Sequence, residues 1–563
     1  MGGVTRRSVL AGAGLAALAA PGRASAAVAD EYDVVVVGSG AAGMTAALTA
    51  AKRGFRTVVI EKAPTFGGST ARSGAGIWLP NNRVILAAGV PDTPQKAASY
   101  LSAVVGASVP LARQQAFLQH GPPMLDFVMA NSPVRFRWME GYSDYYPELP
   151  GGMPNGRSIE PDMLDGNILG AELARLNPPY IQTPPGMVIF GADYKWVTLA
   201  AVNAKGFAVA AECVARGTAA AAAGKRPLTM GQALAGGLRA GLLQAGVPVL
   251  LNTPLTDLHV ENGAVRGVVT PQGLIRATKA VIIGSGGFEH NPAMRAQYQP
   301  QPAQWSVGAK ENTGDGIRAG QRLGAALELM DDAWWGPAIP LPDQPYFCLV
   351  ERTLPGGLMV DATGKRFVNE AAPYGDVVHV MYDKGVVPAW LIVDQNYRNR
   401  YLFKDVAPVL PFPQAWFDSG AVVKASTIDA LAAAIGVPPA TLRSTVSRFN
   451  GFALAGKDRD FRRGDSAYDH YYTDPAVFPS SSLASLWLPP YYAFKVVPGD
   501  LGTKGGMKTD ARARVLRADG SVVDGLYAAG NASAAVMGRS YAGAGSTIGP
   551  AMTFGYIAAK DIT

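Results

Sequence analysis

An unbroken run rich in β-branched residues, Tyr32 to Val37, leads straight into Gly38-Ser39-Gly40-Ala41-Ala42-Gly43, and then into the alanine-rich segment Met44 to Arg53 ahead of Gly54. Strand, tight turn and helix in that order constrain this chain more than any other feature. A buried apolar strand followed at once by an apolar helix fits a layered α/β fold with a parallel sheet. Gly38 permits the turn, Gly40 lets the backbone approach a pyrophosphate, and Gly43 lets the helix pack on the strand. The amides at the helix start, those of Ala41 and Ala42 among them, face the anion. Arg56 to Ile60 reads as the next strand. Glu61 ends it about twenty residues beyond the glycines, where a carboxylate accepts hydrogen bonds from adenosine ribose hydroxyls. Lys62 beside it is assigned to the same site. A glycine triplet alone says little; in this full setting it marks a dinucleotide site.

The next stretch selects the dinucleotide. Phe66-Gly67-Gly68-Ser69-Thr70-Ala71-Arg72-Ser73-Gly74 has no purpose in a nicotinamide domain. Small residues and hydroxyls at Gly68, Ser69, Thr70, Ser73 and Gly74 let the backbone run along a longer cofactor toward an isoalloxazine ring. FAD is therefore expected, and the stretch is similar to its counterpart in the fumarate reductase and succinate dehydrogenase flavoprotein superfamily. Near the other terminus, Gly525 to Asn531 reads as a short strand running into a turn, and Ser546-Thr547-Ile548-Gly549-Pro550-Ala551 opens a helix over Met552 to Lys560. The amino end of that helix offers amides and a positive dipole end to the flavin's pyrimidine side, which favours reduced, anionic flavin. Gly530, Asn531, Ser546, Thr547 and Ile548 are thus assigned to the cofactor, although the superfamily often carries Glu where Asn531 stands.

Between these ends, Asp257 to Ala277 reads as a hairpin, Ala280 to Ile283 as a strand running into Gly284-Ser285-Gly286-Gly287, and Thr313 to Leu329 as a helix. The alanine tract Thr218 to Ala223 also reads as helical. A Trp-, Tyr- and Pro-rich stretch follows over Asp331 to Tyr346, and the flavin-type pattern resumes near Leu501. The expected fold is α/β: a Rossmann-type FAD-binding domain, discontinuous over 30–330 and 501–563, with an inserted α+β catalytic cap over 331–500. A chain of 563 residues is long enough for more than one core. Its 48% hydrophobic and 17% charged composition suits packed layers and not disorder.

Composition also excludes. The net charge of +7 is scattered, without a basic run or an aromatic-interleaved patch, so no nucleic-acid partner is expected. Cys213 and Cys348 stand far apart, and the histidines stand singly, so neither a disulfide framework nor a metal site is indicated. Redox chemistry must come from the organic cofactor. The start, Thr5-Arg6-Arg7-Ser8-Val9-Leu10, an apolar run to Ala20 and Ala24-Ser25-Ala26, has the layout of a twin-arginine-type signal over 1–26. That route carries folded, cofactor-loaded proteins, and export to the periplasm or beyond is expected, with a cytoplasmic location if the signal is not used. No later segment has the roughly 18 uncharged apolar residues of a membrane span, so no stable membrane insertion is expected.

Three tyrosine-bearing stretches remain: Gly141 to Glu148 with Tyr145, Asn369 to Tyr374, and Arg539-Ser540-Tyr541-Ala542-Gly543-Ala544-Gly545. Each alone reads more readily as a packed ring than as a catalyst. Together with Gly67 to Asn82 and Leu501-Gly502-Thr503-Lys504-Gly505-Gly506, they resemble the 3-oxosteroid 1-dehydrogenases (3-ketosteroid Δ1-dehydrogenases), over nearly everything after the signal. The fumarate reductase branch shares Gly364-Lys365-Arg366-Phe367-Val368-Asn369-Glu370 but relies on Arg and His suited to a dicarboxylate, whereas here Pro373-Tyr374 follows. The resemblance implies a flavin dehydrogenation that places a double bond between carbons 1 and 2 of a 3-ketosteroid. Tyr541 hydroxyl and Gly545 N–H would bind the 3-keto oxygen and acidify carbon 2. Tyr374, alone or through a relay with Tyr145, would take the carbon 2 proton, and carbon 1 would deliver hydride to flavin N5. A phenol is a poor base at neutral pH, so a lowered Tyr374 pKa is expected.

A steroid is held by apolar burial, and Trp334, Trp335, Phe347 and Leu349 are its expected walls. Family members commonly carry prolines where Ala542 and Ala544 stand, which leaves the Gly545 amide less rigidly aimed. The electron acceptor, a quinone or another carrier, is left open. Two other readings are distinguished by simple features. An exported flavin reductase of an activated alkene such as fumarate or urocanate would want a cationic pocket, and a sterol-binding flavoprotein without turnover would show no flavin bleaching by substrate.

Overall fold

The computed structural model describes residues 31–563; the twin-arginine-type segment expected over 1–26 lies outside them. The opening strand, Glu31–Val37, is the centre of a parallel sheet, with Thr57–Ile60 and Val249–Leu250 on one side and Gly273–Ile283 and Val522–Ala528 on the other. Val36 lies level with Val59 and Ile282, and Ile282 with Tyr527. Four strands from the first 283 residues thus share a layer with one from the carboxy-terminal segment. These strands are continuous β-branched runs because both faces of a parallel sheet are covered.

The first helix is Ala41–Lys52, three residues earlier at its start than the alanine pattern suggests. Gly40 is the residue before it, extended at φ −74°, so the amides of Ala41 and Ala42 lie in the open first turn. The carboxy-terminal helix, Ile548–Asp561, packs on it so closely that a methyl at Gly555 would sit 2.4 Å from the Ala42 carbonyl oxygen. Gly43 is equally constrained, since a methyl there would lie 1.9 Å from the Gly38 oxygen. The first motif and the last helix are therefore one packing unit.

Other elements differ in extent from their sequence pattern. The hairpin over 257–277 is a meander of Asp257–Glu261, Ala264–Thr270 and Gly273–Ile283, whose last strand runs without a break through the expected Ala280–Ile283 strand into the parallel sheet. The helix expected over 313–329 is only Asp315–Arg322, because Gly324 turns at φ +85° and Leu327–Glu328 pairs as a strand with Gly506–Met507. The alanine tract ends the helix Ala204–Ala222.

A second sheet is built around the thirteen-residue strand Tyr491–Thr503, which pairs with Ala333–Pro340, Ala389–Asp394, Trp305–Ser306 and Val422–Ala425. The helix Tyr374–Asp383 lies on Ala333–Pro340 and begins at Tyr374 itself. Pro373 fixes that start, since the residue preceding the helix needs no donor there. A small antiparallel sheet of Ile77–Trp78, Ser158–Pro161 and Phe136–Trp138 supports the loop that carries Tyr541. The protein is a mixed α/β fold, and among the described residues no helix is long and apolar enough to cross a membrane.

Candidate active site

One cavity of about 610 Å³ runs from the glycine turn to the tyrosine-bearing stretches. At one end it is lined by Gly38, Gly40, Ala41, Ala42, Glu61, Lys62, Gly68, Ser69, Thr70, Ser73 and Gly74, joined by Gly284 to Gly286, Gly530, Asn531, Thr547 and Ile548. The groove has the form a dinucleotide needs. Gly38 turns at φ +99°, where a methyl would meet the Gly284 oxygen at 2.5 Å, whereas beside Gly40 the nearest atom to such a methyl is the Thr70 hydroxyl at 3.6 Å. The turn is closed behind and open toward the cavity, so backbone amides can reach a pyrophosphate. These residues fit FAD.

The polar groups are held in place. Glu61 accepts from the Ser39 amide (2.9 Å) and hydroxyl (2.6 Å) through one oxygen, and from the Ala63 amide (2.9 Å) through the other. Thr70 Oγ1 accepts the Ala41 amide at 3.0 Å, tying the glycine turn to the second glycine-rich stretch. Ser69 Oγ accepts from the Ala309 amide and Asn312 Nδ2, and Ser73 Oγ donates to the Thr70 carbonyl. Asn531 Oδ1 accepts Trp334 Nε1 at 3.0 Å, which leaves the Asn531 amide group free to donate.

Two expectations about side chains need correction, and a third gains a partner. Lys62 lines the cavity, but its ammonium sits on Asp315 (2.8 Å) and Thr313 (2.6 Å), so its charge is matched across the groove before any phosphate arrives. Ser546 does not line the cavity: its hydroxyl donates to the Gly543 carbonyl and accepts the Gly543 amide, and its own amide returns to Gly543, closing a tight turn. Trp334 and Trp335 are not cavity walls either. Neighbours on a strand face opposite ways: Trp334 turns to Asn531 and the back of the Tyr541 ring, and Trp335 turns to Tyr382 under the helix. Phe347 and Leu349 do line the cavity. Gly43 does not reach it and serves helix packing, as its place in the motif implies.

At the other end Tyr145, Tyr374, Tyr541 and Gly545 converge. The Tyr145 hydroxyl donates to the Tyr374 hydroxyl at 3.0 Å, and the Tyr374 and Tyr541 rings meet edge to face with centroids 5.0 Å apart. Burial pushes the Tyr374 phenol well above its ordinary value, and the phenols of Tyr541 and Tyr142 push the same way; Tyr145 is raised for the same leading reason. The expected lowering of the Tyr374 pKa is thus reversed in the protein. Tyr541 is also raised by burial, but bonds from Tyr374, Thr547 and the Gly545 amide oppose the shift. No cation is among the leading influences on any of the three phenols.

Sequence alone did not single out Tyr142 and Tyr472, which also line this chamber, or Tyr468 and Tyr471 behind them. Tyr142 falls in the stretch Gly141 to Glu148 without being given a role, and the recurrence of tyrosine at 468, 471 and 472 is the signal for the rest. The loop carrying Tyr541 is gripped along its length. Ala542 O accepts the Tyr100 hydroxyl (2.6 Å) and the Tyr145 amide (3.0 Å), and Ala544 O accepts the Ser158 hydroxyl (2.7 Å). Gly543 lies flat on Trp78, where a methyl would approach Cδ1 to 2.3 Å. Hydrogen bonds to the loop carbonyls thus hold what prolines would otherwise stiffen, so the looseness expected from Ala542 and Ala544 does not arise.

A family model described as an FAD binding domain matches residues 33–548. The chain is 53% identical over 552 residues to the 3-oxosteroid 1-dehydrogenase of Mycolicibacterium smegmatis, covering 94% of this chain and 97% of that relative. It is 36% identical over 551 residues to the 4-oxocyclohexanecarboxylate 2-dehydrogenase of Sinomonas cyclohexanicum, covering 94% and 92%. Among solved structures it is similar to a 3-ketosteroid Δ1-dehydrogenase from Sterolibacterium denitrificans in complex with 1,4-androstadiene-3,17-dione. The TM-score is 0.91 at 39% identity, over 95% of this chain and 99% of that one.

Proposed function

The chain belongs to the FAD-binding family, among the 3-oxosteroid 1-dehydrogenases, and from that premise we propose that it removes one hydrogen each from carbons 1 and 2 of a 3-ketosteroid. The observation that carries the reading is the meeting of Tyr145, Tyr374, Tyr541 and Gly545 in one buried chamber continuous with the FAD groove. The parallel sheet is then the Rossmann-type cofactor layer, and the sheet around Tyr491–Thr503 with its helices is the inserted catalytic cap. Gly38 to Ala42, Glu61, Ser69 to Gly74, Gly530, Asn531 and the amino end of the last helix hold FAD. FAD supplies the two-electron acceptor.

The chain's own residues supply the rest. Tyr541 hydroxyl and Gly545 N–H bind the 3-keto oxygen, and as carbon 2 loses its proton both bonds strengthen toward the developing enolate. Tyr374 takes that proton, and Tyr145 stabilises the Tyr374 oxygen by donating to it. Because burial raises both phenols, the resting base is protonated near neutral pH, and the catalytically competent fraction grows as pH rises. Apolar side chains such as Phe347 and Leu349 bind the ring system and exclude water. A dicarboxylate reductase would need cations among the tyrosines; none is among the leading influences on Tyr145, Tyr374 or Tyr541, and Arg72, which lines the same cavity, lies over the Tyr180 ring instead. The paired Arg6-Arg7 and the apolar run behind them support export of the loaded enzyme, which passes its electrons to an external acceptor such as a quinone.

The test is anaerobic: mix the FAD-loaded protein with androst-4-ene-3,17-dione, follow flavin absorbance, and identify the product by mass. Bleaching with loss of two hydrogens is expected. A flavin that stays oxidised with this and other 3-ketosteroids, yet is reoxidised by fumarate or urocanate after chemical reduction, overturns the assignment.

A further inference from the structure

The loop that ends in Gly545 offers the 3-keto oxygen a single peptide unit, the one joining Ala544 to Gly545. Its N–H belongs to Gly545, and its carbonyl belongs to Ala544 and points the opposite way across the planar trans amide. That carbonyl accepts the hydroxyl of Ser158 at 2.7 Å. Ser158 is 1% exposed and lies opposite Trp78 in the small antiparallel sheet. Its hydroxyl carries one hydrogen, and this is where it goes.

The bond has two physical effects. First, it fixes the plane of the unit. Glycines flank Ala544 on both sides, and Gly545 stands at φ +95° with no room for a side chain, since a methyl would meet the Gly76 oxygen at 2.1 Å. Glycine's freedom makes rotation of such a unit easy unless its carbonyl is anchored. The other loop carbonyls are anchored separately, that of Ala542 by Tyr100 and the Tyr145 amide, and that of Gly543 by Ser546. Second, a donor on the carbonyl draws amide electron density toward oxygen and leaves the opposite N–H more positive; serial hydrogen bonds strengthen one another by about 10–30% each.

We infer that Ser158 is a positioning residue of the keto-binding pair: its hydroxyl orients and polarises the Ala544–Gly545 peptide, so that the Gly545 N–H binds the developing enolate more strongly than the ketone. This rests on the assignment of Tyr541 and Gly545 to the 3-keto oxygen. Ser158 does not line the cavity and acts through the amide alone.

The readout is the carbonyl stretch of androsta-1,4-diene-3,17-dione labelled with carbon-13 at position 3, bound to the oxidised, FAD-loaded enzyme and measured by difference infrared spectroscopy. Tyr541→Phe should raise the stretch, which establishes that the hole binds this oxygen. Ser158→Ala should raise it by a smaller amount and lower kcat by about 3- to 10-fold, the effect of one modest hydrogen bond. KM should change less than about twofold, because the gain is concentrated in the transition state. Ser158→Cys, a weaker donor of similar size, should fall between, and it serves alone if Ser158→Ala does not load FAD. An unmoved band in the Ser158 variants, with Tyr541→Phe shifted, refutes the role of Ser158 and leaves the keto-binding assignment standing, even if kcat falls. An unmoved band in Tyr541→Phe overturns both.

Discussion

Replacing Tyr145 by Phe separates the proposed base from the group that supports it. The Tyr145 hydroxyl donates to the Tyr374 oxygen at 3.0 Å in a chamber where burial raises both phenols. When Tyr374 loses its proton, that contact becomes a bond to a charged acceptor, worth about 1.5–3 kcal/mol. Its removal raises the Tyr374 pKa by about one to two units. A phenol already raised by burial is protonated at neutral pH, and proton abstraction needs the phenolate, so the rate of flavin reduction climbs as pH rises toward the alkaline range. Tyr145→Phe moves that climb to higher pH and lowers the rate by about 10- to 100-fold anywhere on the slope. The ring keeps its packing against Tyr468 and Tyr541, with centroids at 4.7 and 5.2 Å, so thermal stability and flavin content should change little. Anaerobic stopped-flow reduction by a 3-ketosteroid, from about pH 6 to about pH 10 around the ordinary phenol value, reads this directly. A wild-type rate that does not depend on pH over that span, or a variant profile superimposed on the wild-type one, refutes the reasoning.

Tyr541→Phe should lower kcat by about 100- to 1,000-fold, the usual cost of one oxyanion donor, with an unchanged flavin spectrum; steady-state kinetics with a dye acceptor checks it. Tyr374→Phe should lower it by about 100- to 10,000-fold and abolish the alkaline climb, and retention of that climb would point to another base. Gly38→Ala places a methyl 2.5 Å from the Gly284 oxygen at a positive φ, so the purified protein should carry little FAD, read from the ratio of flavin to protein absorbance. Arg157→Met leaves the buried Asp92 and Asp144 without the guanidinium that both contact, and should destabilise the protein by about 3–5 kcal/mol, seen as a clear drop in melting temperature.

Much of the cofactor site was legible without coordinates because it is written in local backbone demands. The β-branched run at 32–37 forms a strand buried on both faces, Gly38 has the positive φ its turn requires, and Glu61 ends the next strand at the edge of the groove. The tyrosines of the chamber were a different matter. Nothing in 21 tyrosines distinguishes three of them by spacing, and it was the likeness of their surroundings to the 3-oxosteroid 1-dehydrogenases that singled out 145, 374 and 541. Helix ends were misplaced where a later contact decided them, as at Arg322, where the chain breaks off to pair with Gly506–Met507.

By itself, then, the sequence determined the elements whose conformation depends on their own residues: strand, glycine turn, first helix, and the carboxylate of Glu61 where the second strand ends. Only the tertiary structure decided what those residues meet. Tyr145 and Tyr374 lie 229 residues apart, and their contact depends on two sheets closing over one cavity. The neutralisation of Lys62 by Asp315, the bond from Trp334 to Asn531, the packing of Trp335 on Tyr382 and the Ser158 bond to the loop are likewise contacts between distant segments. The upward shift of the phenols has the same origin, because desolvation is set by everything packed around a group and not by its neighbours in the chain.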